Sequence, residues 1–324
     1  MKIKDTDYLY ATMHIRANEK KLLTASAIER MTEARSPEEA AKLLSDFGYG
    51  QNAMLTFDDV ETAIDAAHED TVKTVSEACG NDYIKEVFLL KYDFHNLKAI
   101  IKANFTKQDA EHLLSAVSNV PKDVLLTALK SGDFSRIPQK MAEAYVAGTE
   151  LLSRTGNAEL LDYMLDEVCF EMMTDAARCS QSKFLEGYVA LLCDISNLRL
   201  AVRLKRRGSE EDLSKRLLSF GNIGREKFIQ KDFWESLAKT SLSRAAELGR
   251  LTAEGKESFA SFERELDIAV LEYMKEAKYV SFDERPIVAY LASREADANT
   301  VRIIMSGKIM GLSADEIRSR LRVI

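Results

Sequence analysis

Apolar positions recur along almost the whole chain at the three- and four-residue spacing of an α-helix, and no segment alternates as a half-buried strand does. Asp5 or Thr6 opens a first helix with Tyr8, Ala11, His14 and Ile15 on one side, and Thr24-Ala-Ser26 starts a shorter second one. Ser36-Pro37-Glu38-Glu39 combines a capping hydroxyl, a proline at the first helical position and acids in the first turn. That helix runs through Leu43-Leu44 and stops at Gly48; Ser209-Glu210-Glu211 through Leu217-Leu218 to Gly221 reads as its echo. Phe57 to Cys79 and Asp82 to Phe105 are long amphipathic helices, and Thr106 is expected to cap a short one. Pro121 and Pro138 mark breaks or first turns on either side of Ser131-Gly132. Asn157 caps a helix to about Arg178, and another spans Ser182 to Arg207. From Gly221 and Gly224 to Lys256 the pattern is irregular. Phe259, Phe262, Leu266, Val270, Tyr273 and Ala277 then form a helical stripe, Pro286 opens a further long helix, and Ser313 with Glu316 makes a capping box. The fold class expected is all-α.

Three of the long helices carry one pattern. Asp93-Phe-His-Asn96-Leu97-Lys98, Asp194-Ile-Ser-Asn197-Leu198-Arg199 and Asp297-Ala-Asn-Thr300-Val301-Arg302 share the form Asp-x-x-(Asn/Thr)-(Leu/Val)-(Lys/Arg), at spacings of 101 and 103 residues. Near-equal spacing in 324 residues predicts three related units: 1–105, 106–208 and 209–324. On a helix the Asp and the Asn three residues later are neighbours, whereas the base five residues on points well round the cylinder. Asp and base therefore do not pair within their helix. The Asp lies on nearly the same side as the apolar fifth position, so it is expected to be half-buried and to need a donor from another helix. A structural cross-link fixing how each unit's helices meet accounts for that pattern.

Composition agrees with this reading: only four Pro and fourteen Gly, with abundant helix formers. A net charge of −7 argues against nucleic acid as a partner, and the one dense basic cluster, Lys205-Arg206-Arg207, suits a solvated helix C-terminus. No apolar run reaches the length of a membrane span, and no export segment is expected at the N-terminus. Cys79, Cys169, Cys179 and Cys193 lack Cys-x-x-Cys spacing and read as small buried residues of a reducing cytosol.

Catalytic, cofactor and metal patterns are missing. Gly48-Tyr-Gly50-Gln-Asn-Ala53 fits a relaxed dinucleotide fingerprint but follows a helix, without the strand–turn–helix context that binding needs. His14, His68, His95 and His112 have no ligand spacing, and consecutive His68-Glu69-Asp70 fan out around a helix. No phosphate loop and no Gly-x-Ser-x-Gly elbow is present. Neither an enzyme nor a cofactor protein is expected.

Over essentially its whole length the chain resembles the C subunits of the bacterial and archaeal V/A-type ATPases, the counterparts of the d subunit in eukaryotic vacuolar ATPases. The resemblance is carried by Phe262-Glu-Arg-Glu-Leu-Asp267, Tyr279, Pro286, Ala289-Tyr-Leu-Ala-Ser-Arg-Glu295, Val301-Arg-Ile-Ile304, Gly307-Lys308 and Gly311-Leu312. At the N-terminal side Tyr8-Leu-Tyr-Ala11, Arg16, Lys21-Leu-Leu23 and Asp93-Phe-His-Asn-Leu-Lys98 add to it. Thr300 departs from it, since the family usually carries Asn there. The resemblance implies a non-catalytic rotor component: a funnel of three helical domains with pseudo-threefold symmetry. It implies a socket for the central shaft subunits (D and F type), seated on the membrane proteolipid ring and transmitting torque for H⁺ or Na⁺ transport. The chain would then be cytoplasmic and peripheral on the membrane, with no span of its own. Among the signature bases, Lys98, Lys102, Arg199, Arg203 and Arg302 are the expected contacts facing the central cavity. The alternatives are a helical protein-interaction scaffold unrelated to a rotary motor, which would favour repeats of about 20–50 residues, and a helical enzyme with a dispersed site.

Overall fold

The helical periodicity resolves into fifteen α-helices and no strand among the described residues, 5–50, 54–208, 213–230 and 233–321, of a computed structural model. In order they are α1 (Leu9–Asn18), α2 (Ala25–Glu33), α3 (Pro37–Leu44), α4 (Phe57–Ala78), α5 (Asp82–Thr106), α6 (Lys122–Ser131), α7 (Gln139–Thr155) and α8 (Ala158–Cys179). Then come α9 (Lys183–Arg207), α10 (Arg225–Ile229), α11 (Phe233–Leu237), α12 (Ser243–Ala253), α13 (Phe259–Met274), α14 (Arg285–Ile309) and α15 (Ala314–Arg320). The caps follow the chemistry of the chain. Thr24, Ser36, Asn157 and Ser313 accept from first-turn amides, and Thr56 with Asp59 and Ser313 with Glu316 complete capping boxes.

The helices form two compact units. One is Asn81–Val189, in which α5, α7 and α8 pack together over Ile84, Leu90, Phe94, Leu161 and Leu165. The other comprises Met1–Gly80 and Ala190–Ile324 and holds two cores. In the first of these cores Ile28, Met31, Leu44 and Ile64 of the N-terminal helices meet Val301, Ile304 and Met305 of α14 and Ile317 of α15. In the second, Leu198 and Val202 of α9 meet Phe228, Phe233, Leu237, Phe262 and Leu266. Burying such side chains removes roughly 1.5–3 kcal/mol of unfavourable hydration each, so these cores fix which helices pair.

The three signature helices α5, α9 and α14 are each 25 residues long. Each packs on another long helix: α5 on α8, α9 on α13, and α14 on α4. The third of these pairings joins the two ends of the sequence. Small residues allow a third helix to approach closely. A Cβ on Gly148 of α7 would lie 2.8 Å from Leu161 Cδ1, and one on Gly249 of α12 would lie 2.8 Å from Val202 Cγ2. The two glycines stand at the same distance along the chain after Asp93 and Asp194, a repeated feature that sequence reading passed over.

Three expectations change. Ser209 to Asp212 lie outside the described residues, but 213–215 is a 3-10 turn and Leu217-Leu218 is irregular, so the echo of the third helix does not extend there. Leu218 is instead held by a side chain of α9, which replaces helical bonding. Thr106 ends α5 and bonds back to the Lys102 carbonyl; it caps no further helix. Between Gly221 and Lys256, three short helices stand where no periodicity was legible.

Candidate functional site

Asp93 and Asp194 are only 1% exposed, and so more deeply buried than the half-burial expected, while Asp297 is partly buried. A helix supplies no free amide at mid-length, so the donors come from irregular backbone just ahead of another helix. Asp93 Oδ1 accepts from the Val120 N–H at 2.9 Å, and its Oδ2 from Asn119 Nδ2 at 2.8 Å. Asp194 accepts from the Ile223 and Asn222 N–H groups, both at 3.0 Å. Asp297 Oδ2 accepts from the Leu23 N–H at 3.0 Å. Val120, Ile223 and Leu23 each stand two residues before the first helical residue, Lys122, Arg225 and Ala25. One kind of hydrogen bond is thus repeated at the three signatures.

The asparagine completes the clamp in two repeats. Asn96 accepts from the Ser115 N–H at 2.8 Å and donates to the Ser115 carbonyl at 3.1 Å, as a neighbouring strand would. Asn197 does the same to Leu218, at 2.8 and 3.0 Å. Thr300 cannot, and its hydroxyl turns back to the Ala296 carbonyl. In its stead the third repeat has Arg294, one turn before Asp297, where the others have Leu90 and Leu191. Buried to 2% exposure, its guanidinium donates to the carbonyls of Lys21 and Phe47 and to Thr71 Oγ1 and stands over the Tyr49 ring. It lies 3.9 Å from Asp297.

Burial dominates the electrostatics of the three carboxyls. It pushes Asp93 and Asp194 up to about 6, against the opposing effect of their N–H donors, and Asp297 up to about 7 despite Leu23 N–H and Arg294. Gly221 is required by this geometry, since a Cβ there would meet Asp194 Oδ1 at 1.9 Å.

The signature bases lie outside the clamp, as expected from their angle on the helix. Each reaches an acid on the antiparallel long helix against which its own helix packs: Lys98 to Asp166 at 2.6 Å, Arg199 to Glu263 at 2.8 Å, and Arg302 to Glu61 at 2.6 Å. Lys102 pairs with Asp162 at 2.6 Å, while Arg203 is exposed. Sequence reading named the bases and missed Arg294, Gly221 and the four acids. Arg294 and Glu263 sat within stretches that carried the family resemblance, but nothing local to them indicated their partners.

No group of three or more His, Cys, Asp or Glu side chains able to hold a metal occurs among the described residues, and no described helix is long and apolar enough to cross a membrane. Cys79, Cys169 and Cys193 are buried, whereas Cys179 is exposed, contrary to the expectation that all four are inside.

Comparison with known proteins gives a consistent result. The family described as ATP synthase (C/AC39) subunit matches residues 12–320. The C subunit of the A-type ATP synthase of Methanocaldococcus jannaschii is 26% identical, covering 97% of this chain and 86% of that one. The C subunit of the V-type sodium ATPase of Enterococcus hirae is 21% identical, with 96% of both chains covered. The C subunit of the V-type ATP synthase of Thermus thermophilus is 24% identical over 97% of this chain and 98% of its own.

Gly221→Ala is expected to destabilise by about 2–4 kcal/mol, because the buried Asp194 carboxylate must leave its two amides. Chemical denaturation of the full chain measures it. Asn197→Ala, which strands the buried N–H and C=O of Leu218, should cost about 2–4 kcal/mol, and Thr300→Ala, which strands neither, under about 1 kcal/mol. For Asp297 the folded pKa is raised, so its contribution to stability is complete below the unfolded value and lost as pH rises through about 7. Asp297→Asn keeps an acceptor for Leu23 and cannot ionise. Its melting temperature relative to the parent should therefore climb as pH rises from about 5 to about 8; a constant difference would refute the linkage.

Proposed function

From membership of the ATP synthase (C/AC39) subunit family, to which this chain belongs, we propose a central-stalk role: a socket that couples the rotating shaft of a V/A-type ATPase to its membrane proteolipid ring. The protein is a non-catalytic subunit of that complex. The observation that carries the reading is the match along residues 12–320, together with relatives named as C subunits over nearly their full length. The proposed partners are shaft subunits of the D and F type and the proteolipid ring, with the chain cytoplasmic and peripheral on the membrane through that ring.

The internal construction suits a mechanical task. Torque passes through a body only as far as its elements resist rotating against each other, and close helix packing resists it. The buried carboxylate clamps add directional bonds between each signature helix and the segment that launches another helix. Breaking one leaves a buried polar group without its partner, so small relative rotations are opposed steeply. Three repeat units in a funnel remain the proposed arrangement, with Lys98, Lys102, Arg199, Arg203 and Arg302 as its contact bases. Four of these five are already engaged by acids of a neighbouring helix, so contact through them requires exchange of partners.

A pull-down of the tagged full chain from its native membranes tests the role, with partners identified by mass spectrometry. Shaft subunits and the ring proteolipid are expected together, and deletion of this chain should separate them. Recovery without any rotary-ATPase subunit would refute the role and favour a helical scaffold of another kind.

A further inference from the structure

Arg294 Nη1 carries two hydrogens, and both are committed: one to the Lys21 carbonyl at 3.0 Å, the other to the Phe47 carbonyl at 3.1 Å. The same nitrogen stands 3.9 Å from Asp297 Oδ2, beyond hydrogen-bond range. Three acceptors therefore compete for two hydrogens at one atom.

Asp297 is also the least satisfied of the signature carboxyls. Asp93 and Asp194 each accept on both oxygens and are 1% exposed. Asp297 accepts one bond, from the Leu23 N–H to Oδ2, and its side chain is 13% exposed. One amide suffices for a neutral carboxyl and leaves an ionised one short of donors. Three successive residues follow the guanidinium on its other side. Phe47 offers its carbonyl, a Cβ on Gly48 would lie 3.8 Å from Nη2, and the Tyr49 ring centroid is 5.1 Å from the guanidinium carbon. The Tyr49 hydroxyl is buried without a hydrogen-bond partner among the described residues, so it does not hold the segment.

We propose that ionisation of Asp297 draws Arg294 Nη1 off the Phe47 carbonyl onto the carboxylate, and so loosens residues 47–49 from α14. The Lys21 bond is the one kept. Leu23, two residues on, is bound by Asp297 itself, and Lys21 Nζ is tied to Asp70 of α4 at 2.7 Å. The latch belongs to the fold and does not depend on the central-stalk reading.

Burial pushes the Asp297 carboxyl up to about 7, so the change falls near neutral pH. The raised folded value means that the closed form is favoured while the carboxyl is protonated and is lost as pH rises through about 7. The other charged groups around this point are committed: Asp70 to Lys21, Arg302 to Glu61 and, on α1, Arg16 to Glu19. Burial raises the Tyr49 and Tyr290 phenols, away from neutrality. Two histidines remain, His14 of α1, stacked on Tyr10, and His68 of α4, buried one turn before Thr71. Histidine ordinarily changes charge in the same range, so the test has to separate it from Asp297.

Hydrogen exchange of the full chain, corrected for the intrinsic pH dependence of exchange, tests the latch. The Gly48 and Tyr49 amides, bonded to the Ser45 and Leu44 carbonyls, are the reporters, and peptides of α8 are the internal reference. Protection at 48–49 should fall about tenfold or more from about pH 5 to about pH 8 in the parent, with α8 unchanged. Asp297→Asn should abolish the fall. No fall in the parent, or a fall shared equally by α8, overturns the proposal. So does an equal fall in Asp297→Asn, which would assign the change to another group such as His68. Should that variant not fold, the Arg294 guanidinium nitrogen resonances of the parent decide. A shift that follows the Asp297 carboxyl titration supports the exchange of partners, and a guanidinium signal unchanged across it refutes the exchange.

Discussion

A carboxylate buried on the face of a long helix has to find hydrogen-bond donors that its own helix cannot give. Mid-helix amides are committed to carbonyls four residues back, and the neighbouring Asn96 and Asn197 side chains are committed to Ser115 and Leu218. Donors must come from backbone that is not yet helical, and such backbone lies just ahead of a helix start. Val120, Ile223 and Leu23 all meet that condition. Each aspartate thereby fixes where a further helix begins relative to the signature helix, and the hydrophobic cores complete what the clamp has aligned.

The third clamp differs from the other two in how far it reaches. Asp93 and Asp194 capture residues 27 and 29 positions away, whereas Asp297 captures one 274 positions away. Long loop closure costs entropy before contacts return it, so the third repeat depends on the others being formed or on stronger capture. Its composition fits the second alternative. The amide clamp of Asn96 and Asn197 is replaced by Arg294, whose fork ties together Lys21, Phe47 and Thr71 from three stretches of the N-terminal segment. A buried guanidinium with carbonyl partners is tolerated only if nearly every donor is used, which favours one closed geometry over many loose ones. Thr300 thus marks a change in the mode of clamping, with its neighbour Arg294 as the new anchor.

The sequence showed the repeat itself, the helical class and most helix starts, because those rest on local chemistry: a hydroxyl before a first turn, a proline at its first position, an apolar stripe. The length of the signature helices was legible for the same reason. What each aspartate binds was not, since Val120, Ile223 and Leu23 are ordinary apolar residues that contribute only a backbone amide. The helix α12 escaped because its buried face is built from Ala245, Ala246, Gly249 and Thr252, which hardly register as a hydrophobic stripe. Gly249 is small for a reason that exists only in three dimensions, the close approach of Val202 and Phe262. The acids opposite the signature bases were hidden among many surface carboxylates, and only the antiparallel register singles them out.

Those ion pairs separate what the three signatures share from what sets them apart. Surface pairs contribute little to stability, typically up to about 1 kcal/mol, so their shared register across three repeats has its main effect on which charges remain available. Pairing silences Lys98, Arg199 and Arg302 equally and leaves the repeats alike at this position. One turn on, Lys102 pairs with Asp162, whereas Arg203 is exposed and the third signature helix has Ser306 at that position. Differences of that size do not alter the cores, which lie beneath them, and so cost the fold almost nothing. They do distinguish the three signature helices by up to a full charge on a framework whose interior repeats.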